Sequence, residues 1–434
     1  MIPTPRLLAL VAVAALLGLL LPLGVLPAGL WAGWLGFVVV VAMADALGLA
    51  AEAPLAVERR VAGSLPLGVL STVTLRIHNP GRRTCRVDIT DHAPAAMEME
   101  GLPRRLEAAA GGWTALDYRC RPRVRGEHRF PVVQLKKGSP LGLWQRTRRL
   151  HHKSVVRVYP DFAAVSPYAV YALDQQLSVF GALKRRRRGE GSEFHQLREF
   201  RQGDALRQID WRATARMRRL ISKEYQDERD QTLVFLLDCG RRMRTRDGTL
   251  SHFDQALNAM LLMSYVALRK GDAVGVSSFG GEARWLSPRK GATTLTLLLN
   301  TLYDLQPTLT VADYVAAATD LMARQRKRAL VVLVTNLHGE EQEELRQAVA
   351  LLRRRHLVVV TSLREVVLDE VMEAPVETLP DALRVAAAHD YMAERDHALG
   401  MLRQGGVPVV DVTPPRLSVA MVNAYLAIKA GGAL

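Results

Sequence analysis

The chain has 434 residues, enough for two or three domains at roughly 100–200 residues each. Its net charge of +15 favours acidic partners such as lipid headgroups, nucleic acid or an acidic protein, yet 6% aromatic residues is thin for stacking bases along a groove. Three cysteines, Cys85, Cys120 and Cys239, are too few and too odd for a disulfide framework and suit reduced thiols in a cytoplasmic body.

The N-terminus is apolar. No charged residue occurs in the 38 positions from Leu7 to Ala44. As continuous helix such a run spans ~57 Å, close to twice a ~30 Å hydrocarbon core. Pro22, Gly24, Pro27 and Gly29 interrupt it, so the pattern predicts two membrane helices, about 7–25 and 30–50, in a hairpin occupying residues 1–52. A secretory signal has an apolar region of only ~7–15 residues, much shorter than this. Trp31 and Trp34 suit an interface. Arg6, Arg59 and Arg60 flank the pair while the turn carries no charge. Both termini are therefore expected in the cytoplasm, at the inner membrane, with the basic body against the anionic leaflet. Asp45 reads as a boundary residue near the cytoplasmic end of the second helix.

Residues 55–162 alternate with period two. Val73, Leu75 and Ile77, then Cys85, Val87 and Ile89, then Leu116, Tyr118 and Cys120, each share a face. The runs 129–135 and 155–160 add further strands. Short strands separated by Pro and Gly turns predict a small β-sandwich, with Cys85 and Cys120 as buried thiols. Residues 163–231 form a basic segment: positions 184–220 hold twelve Lys or Arg against five Asp or Glu. From 232 to 434 the pattern changes again. Continuous apolar strands at 232–238, 272–279, 329–337, 357–363 and 405–413 alternate with helices at 253–272, 293–305, 312–327, 340–356 and 417–430. This predicts an α/β domain around a mostly parallel sheet, closed by a C-terminal helix.

The stretch GSEFHQLREFRQGDALRQIDWRATARMRRLISKEYQDE (191–228) resembles the signature of the domain-of-unknown-function-58 family. The order of parts is similar too: a membrane hairpin, a sandwich with RGEHRFPVV (125–133), the signature, then a von Willebrand A-like (Rossmann-type) domain. The resemblance implies association with MoxR-type AAA+ ATPases and other von Willebrand A proteins, hence an assembly role at the membrane. One departure lies in KKGSPLGLW (136–144), where Gly138–Ser139 stands in place of the family's usual Asp before Pro.

Asp238 ends a strand, where ligands of open parallel sheets gather. Metal-binding von Willebrand A domains follow this Asp with hydroxyls in a D-x-S-x-S pattern that suits a hard cation. Here those seats are Gly240 and Arg242, and Thr335 is followed by Asn336 where Asp is typical. Thr308 and Thr310 cannot make up the deficit. The expectation is therefore no cofactor, with magnesium disfavoured, a degenerate site at Asp238, Gly240, Arg242, Thr335 and Asn336, and Asp238 paired to Arg241 or Arg242. In the signature, Asp204 and Asp210 lie among Arg207, Arg212 and Arg216, which predicts a paired network with Trp211 packed between layers. Together with Glu193, Arg198 and Arg201 these residues either clasp domains or, with Arg218 and Arg219, face an acidic partner. Glu193, His195, Asp204 and Asp210 could be drawn as an acid/base site, but no nucleophile motif, phosphate loop or ligand spacing supports an enzyme. KRRRR (184–188) suits nucleic acid, but in a tethered chain the inner leaflet is the nearer polyanion. The leading expectation is a protein-interaction and assembly factor acting with an AAA+ ATPase, other von Willebrand A-like proteins and the lipid bilayer. A basic membrane-bound nucleic-acid-binding protein comes second and an enzyme third. No small-molecule substrate is identified.

Overall fold

The computed structural model describes residues 1–19, 22, 27–161, 193–201, 206–226 and 231–431, in two units, Met1–Tyr159 and Pro160–Leu434. The first begins with helices α1 (Pro5–Leu19) and α2 (Ala28–Ala51). They lie antiparallel: Trp31 near the start of α2 donates Nε1–H to the Ala14 carbonyl of α1 at 2.9 Å, and Leu7 of α1 packs with Ala42 of α2. Two spanning helices were expected. Among the described residues only α2, with 24 residues, is long and apolar enough to cross a membrane, while α1 has 15.

Eight strands follow: β1 (Ala56–Arg60), β2 (Ser71–His78), β3 (Cys85–His92), β4 (Met97–Glu100), β5 (Arg104–Ala108), β6 (Trp113–Pro122), β7 (Gly126–Gly138) and β8 (Trp144–Tyr159). One sheet has the order β1-β2-β6-β4 and the other β8-β7-β3-β5, the latter with short pieces of chain added along β8. The period-two pattern explains the faces. Val73, Leu75 and Ile77 are buried, as are Val87, Ile89, Leu116, Tyr118 and Cys120. All three cysteines are free thiols, and Cys85 is half-buried rather than buried. The two sheets are tied by a buried ion pair, Arg59 Nη2 to Asp91 Oδ1 at 2.6 Å, which the Tyr118 hydroxyl joins by donating to Asp91 Oδ2 at 2.7 Å.

Asp45 does not sit at a solvent boundary. It is 4% exposed and accepts from the Ser139 hydroxyl and from the N–H groups of Leu141 (2.9 Å) and Leu143 (3.2 Å), all in the turn between β7 and β8. Trp144 donates Nε1–H to the Ala42 carbonyl of α2 at 2.8 Å. A helical carboxylate with so many donors is satisfied, whereas burying an unpartnered carboxylate costs far more than burying a neutral polar group.

The second unit opens with a hairpin of β9 (Glu193–Glu199) and β10 (Ile221–Gln226) around a short helix α3 (Trp211–Met217). Then come β11 (Thr232–Asp238), α4 (His252–Arg269), β12 (Ala273–Phe279), β13 (Trp285–Arg289), α5 (Thr293–Leu302), α6 (Tyr314–Arg324), β14 (Leu330–Thr335), α7 (Gln342–Arg353), β15 (Leu357–Leu363), α8 (Val366–Glu373), α9 (Leu379–Gln404), β16 (Val409–Val412) and α10 (Pro414–Ala430). The sheet order is β13-β12-β11-β14-β15-β16, parallel except for β13 at one edge. Strands buried on both faces need apolar residues at every position, and TLVFLLD and LVVLVT supply them. Phe253, Met260, Leu298, Leu417 and Met421 cover one face, while Tyr314, Leu321, Leu345 and Leu399 cover the other. The chain leaves β11 toward β12 and returns to β14 on the opposite side. The strand order therefore switches between β11 and β14, which places Asp238 and Thr335 side by side at its carboxyl edge.

Candidate docking face at the carboxyl edge of the parallel sheet

Asp238 is fully buried, and its partners are not the expected arginines. Oδ1 accepts the Gly240 N–H at 2.7 Å and Oδ2 accepts the Thr335 hydroxyl at 2.7 Å, with Tyr314 in turn 2.8 Å from Thr335 Oγ1. Burial raises its pKa to about 6 against the lowering by those two donors. The reason the arginines go elsewhere is competition. Arg242 reaches Glu340 at 2.7 Å and Glu341 at 3.4 Å, and Arg241 reaches Glu340 at 3.3 Å. The exposed Glu340 carboxylate receives the guanidinium groups at less desolvation cost than the fully buried Asp238.

The donor set does not suit a hard dication. A Cβ at Gly240 would lie 3.0 Å from both Asp238 Oδ1 and the Thr310 carbonyl, so a serine hydroxyl has no comfortable place there. Gly280, at φ +73°, closes the same corner, its absent Cβ only 2.9 Å from the Gly240 nitrogen. Thr308 Oγ1 donates to the Gly280 carbonyl at 2.6 Å, and the Thr310 carbonyl accepts from the Arg241 N–H at 2.9 Å. Thr308 through its hydroxyl and Thr310 through its backbone thus shape the loop around Asp238. Both Asp238 oxygens, Thr308 Oγ1 and the Thr310 carbonyl already take part in hydrogen bonds, while magnesium needs an octahedral shell of oxygens.

Asn336 joins a second network. Its Nδ2 donates to Glu365 Oε1 at 2.7 Å and lies 3.3 Å from His252 Nδ1, whose Nε2 meets Asp247 at 2.7 Å. Its Oδ1 accepts from Arg395 Nη1 at 3.2 Å. Arg395 is wholly buried in α9 and also donates to Asp411 at 2.6 Å, Ser362 at 2.7 Å and the carbonyls of Leu337 and Leu363. Burial raises the Glu365 pKa, but the His338 and Asn336 hydrogen bonds outweigh it and hold the carboxyl at about 2. Glu341 Oε2 and Glu365 Oε2 are buried with no hydrogen-bond partner among the described residues. Asp238, Thr335 and Asn336 were legible from strand ends. Glu341, Glu365, His338 and Arg395 were missed, and only the carboxyl-edge position of the first three gives a usable signal.

The basic signature is only partly brought together. Asp204 and the KRRRR run lie outside the described residues, as do the side chains of Glu193, His195 and Arg207. Asp210 does not pair with Arg212 or Arg216: it caps α3, accepting from the Arg212 and Ala213 N–H groups at 3.0 Å each, with Lys223 at 3.4 Å. The Ala213 amide foremost keeps its pKa below the usual carboxylate range. The aligned N–H groups of a helix start are fixed donors, and the Asp210 carboxylate takes them in preference to mobile guanidinium groups. Trp211 does not pack between layers; it is 68% exposed. Arg212 and Arg216 are exposed, Arg198 is half-buried opposite Ser222 in the hairpin, and Arg201 is exposed beyond it. Arg219 faces Glu199 at 3.7 Å.

Residues 196–381 match the family described as "Protein of unknown function DUF58". The "Uncharacterized protein YeaD" of Bacillus subtilis (strain 168) is 27% identical over 166 residues, a match covering 36% of this chain and 37% of that protein. The chain thus matches little more than a third of this relative's length. Among solved structures, a fragment of Escherichia coli alpha-2-macroglobulin is 21% identical, covering 25% of this chain and 17% of that chain, with a TM-score of 0.21. Proximal thread matrix protein 1 of the mussel byssus is 10% identical, covering 46% of each chain, with a TM-score of 0.26. Likenesses this slight carry no argument about fold or function. The matched span contains GDALRQIDWRATAR (203–216), most of the hairpin around it and most of the parallel sheet, and it is over this span that the chain is similar to the DUF58 family.

Proposed function

We propose that this chain is a membrane-anchored docking and assembly factor whose α/β unit is an ion-free, von Willebrand A-like module. In this reading the two sheets of the first unit are a β-sandwich, α1 and α2 form a hairpin anchored in the inner membrane, and an AAA+ ATPase of the MoxR type is the partner. The observation that carries the proposal is the division of labour among acids at the carboxyl edge. Asp238 is satisfied internally, whereas Glu341 Oε2 and Glu365 Oε2 are buried and still lack donors among the described residues. Beside them the Glu340 side chain is exposed and gives this acidic edge a contact for N–H or basic groups of a protein, in place of a metal ion shared with an acidic one. The exposed Arg201, Arg212 and Arg216 add a second surface suited to acidic segments.

The test is capture from detergent-solubilised membranes with the tagged full chain. An ATPase partner is expected to co-purify equally with and without EDTA, and Glu341→Gln with Glu365→Gln is expected to reduce its recovery about tenfold, as the loss of ~1.4 kcal/mol would. Recovery abolished by EDTA would point to a metal-bridged face and overturn the reading.

A further inference from the structure

Strands β7 and β8 carry three cations to the place where the chain leaves α2. Lys137 and Arg146 are register partners, and Arg148, two residues on, shares the Arg146 side of β8. With Leu49, Glu52 and Leu135 they line an open pocket of about 30 Å³. That is room for a few water-sized atoms, at the ~10–15 Å³ each requires. Glu52 pairs with Lys137 at 2.5 Å, leaving two positive charges in excess (three cations against one carboxylate). Arg146 and Arg148 are half-buried and have no side-chain partner among the described residues. Their stems lie against apolar surface and their heads are available to a ligand.

The pocket also has a defined level. Leu49 belongs to the last turn of α2, and Glu52 follows the helix directly. A spanning α2 therefore sets the pocket at the depth of the lipid phosphates. On its outward side α2 exposes Val40, Met43 and Leu47. These make a track for an acyl chain beneath a headgroup held above.

We propose that this pocket binds the phosphate of an anionic phospholipid headgroup, gripped by Arg146 and Arg148 and steered by Lys137. Guanidinium forks match phosphate oxygens in bidentate fashion, and two of them on one strand face make a fixed receptor instead of a diffuse basic surface. The proposal rests on the reading of α2 as a membrane span.

The experiment uses the full chain in phosphatidylcholine nanodiscs containing a trace of spin-labelled phosphatidylglycerol or spin-labelled phosphatidylcholine, and reads the motionally restricted fraction of each. The wild type is expected to restrict phosphatidylglycerol about fivefold more, the scale of ~1 kcal/mol of basic attraction at such a surface. Arg146→Gln with Arg148→Gln is expected to bring that ratio near one. Arg149→Gln with Lys153→Gln, which removes two exposed charges from the same strand, is expected to leave it unchanged. Equal loss in both double variants would mean diffuse attraction and overturn the pocket. Loss of the preference in millimolar inorganic phosphate at constant ionic strength would make this a site for a soluble anion and overturn the lipid assignment. Alkaline washing of parallel proteoliposomes separates the two levels. A chain stripped from the bilayer overturns the anchor, while one that stays yet shows no lipid preference overturns the pocket alone.

Discussion

Asp238 shows how one residue's ionisation is set by where its strand ends. Its folded pKa of about 6 lies above its ordinary value of 3.8, so the folded state holds the proton more tightly than the unfolded state. The sign follows: the stabilising contribution is complete below pH 3.8 and is lost as pH rises through about 6. At ~1.36 kcal/mol per unit, ionised Asp238 costs up to about 3 kcal/mol at neutral pH. Asp238→Asn removes that cost, and Thr335 can turn its hydroxyl toward Tyr314 to admit the new amide. The stability of Asp238→Asn relative to wild type is therefore expected to increase between pH 5 and pH 7.5, read by thermal unfolding of the full chain in detergent. A pH-independent difference would contradict the raised pKa. Glu365 runs the other way: its depressed value of about 2 gives stability that is present above 4.5 and lost as pH falls. Its titration lies below this window and does not mask the Asp238 effect. Arg395 supplies the other single-residue test. Arg395→Met removes the donors that Arg395 gives to Asp411 and two carbonyls, and is expected to cost ~3–5 kcal/mol in the same unfolding measurement.

Single elements decide which parts of this fold can be read from sequence. The strands of the parallel sheet and α4 were legible because their apolar residues repeat without interruption. Helix α9 was not. Its buried positions Ala388, Met392, Arg395, Leu399 and Leu402 follow helical spacing, but the central one is an arginine, so the apolar stripe is broken where the carboxyl-edge network is organised. Hairpin β9–β10 was hidden for a related reason: its strands are rich in charge and polar residues, and hydrophobic alternation is the signal that reveals strands. The candidate site was accordingly half visible. Strand ends pointed to Asp238, Thr335 and Asn336, while partners brought in by a short turn before α7 or by helix geometry, such as Glu341 and Arg395, have no local pattern. The β7–β8 turn gives a test at this scale. Asp45 holds the N–H groups of Leu141 and Leu143 and accepts the Ser139 hydroxyl as well. Asp45→Leu is expected to raise hydrogen exchange at the Leu141 and Leu143 amides at least tenfold, equivalent to ~1.4 kcal/mol of lost protection, while Asp45→Asn retains part of it. Unchanged exchange in Asp45→Leu would show that the turn is held without the helix.

At the scale of the whole molecule, the proposed anchor has to leave the rest of the chain on one side of a membrane, and the proposed partnership needs that side to be the cytoplasm. Arg6, Arg59 and Arg60 are the positive flanks of the helix pair, and the fold removes one of them from the surface: Arg59 is buried against Asp91. This does not weaken the inference, because orientation is set while the chain is being inserted and before β1 and β3 can pair. Folding then adds Lys137, Arg146 and Arg148 beside the end of α2, which restores positive charge on the same side. Helix entry and exit agree as well. Thr4, just before α1, bonds to the Gly142 and Leu143 carbonyls, and Asp45, late in α2, bonds to the same turn, so both ends of the pair meet one face of the first unit. With that unit cytoplasmic, protease added to inverted inner-membrane vesicles is expected to digest residues beyond Glu52, whereas right-side-out vesicles are expected to protect the entire soluble mass. The free thiol of half-buried Cys85 gives a second readout, labelled by a membrane-impermeant maleimide only in inverted vesicles after mild unfolding. Digestion and labelling in right-side-out vesicles would place the soluble mass outside, where a cytoplasmic ATPase could not reach it, and would remove the proposed partnership along with the orientation.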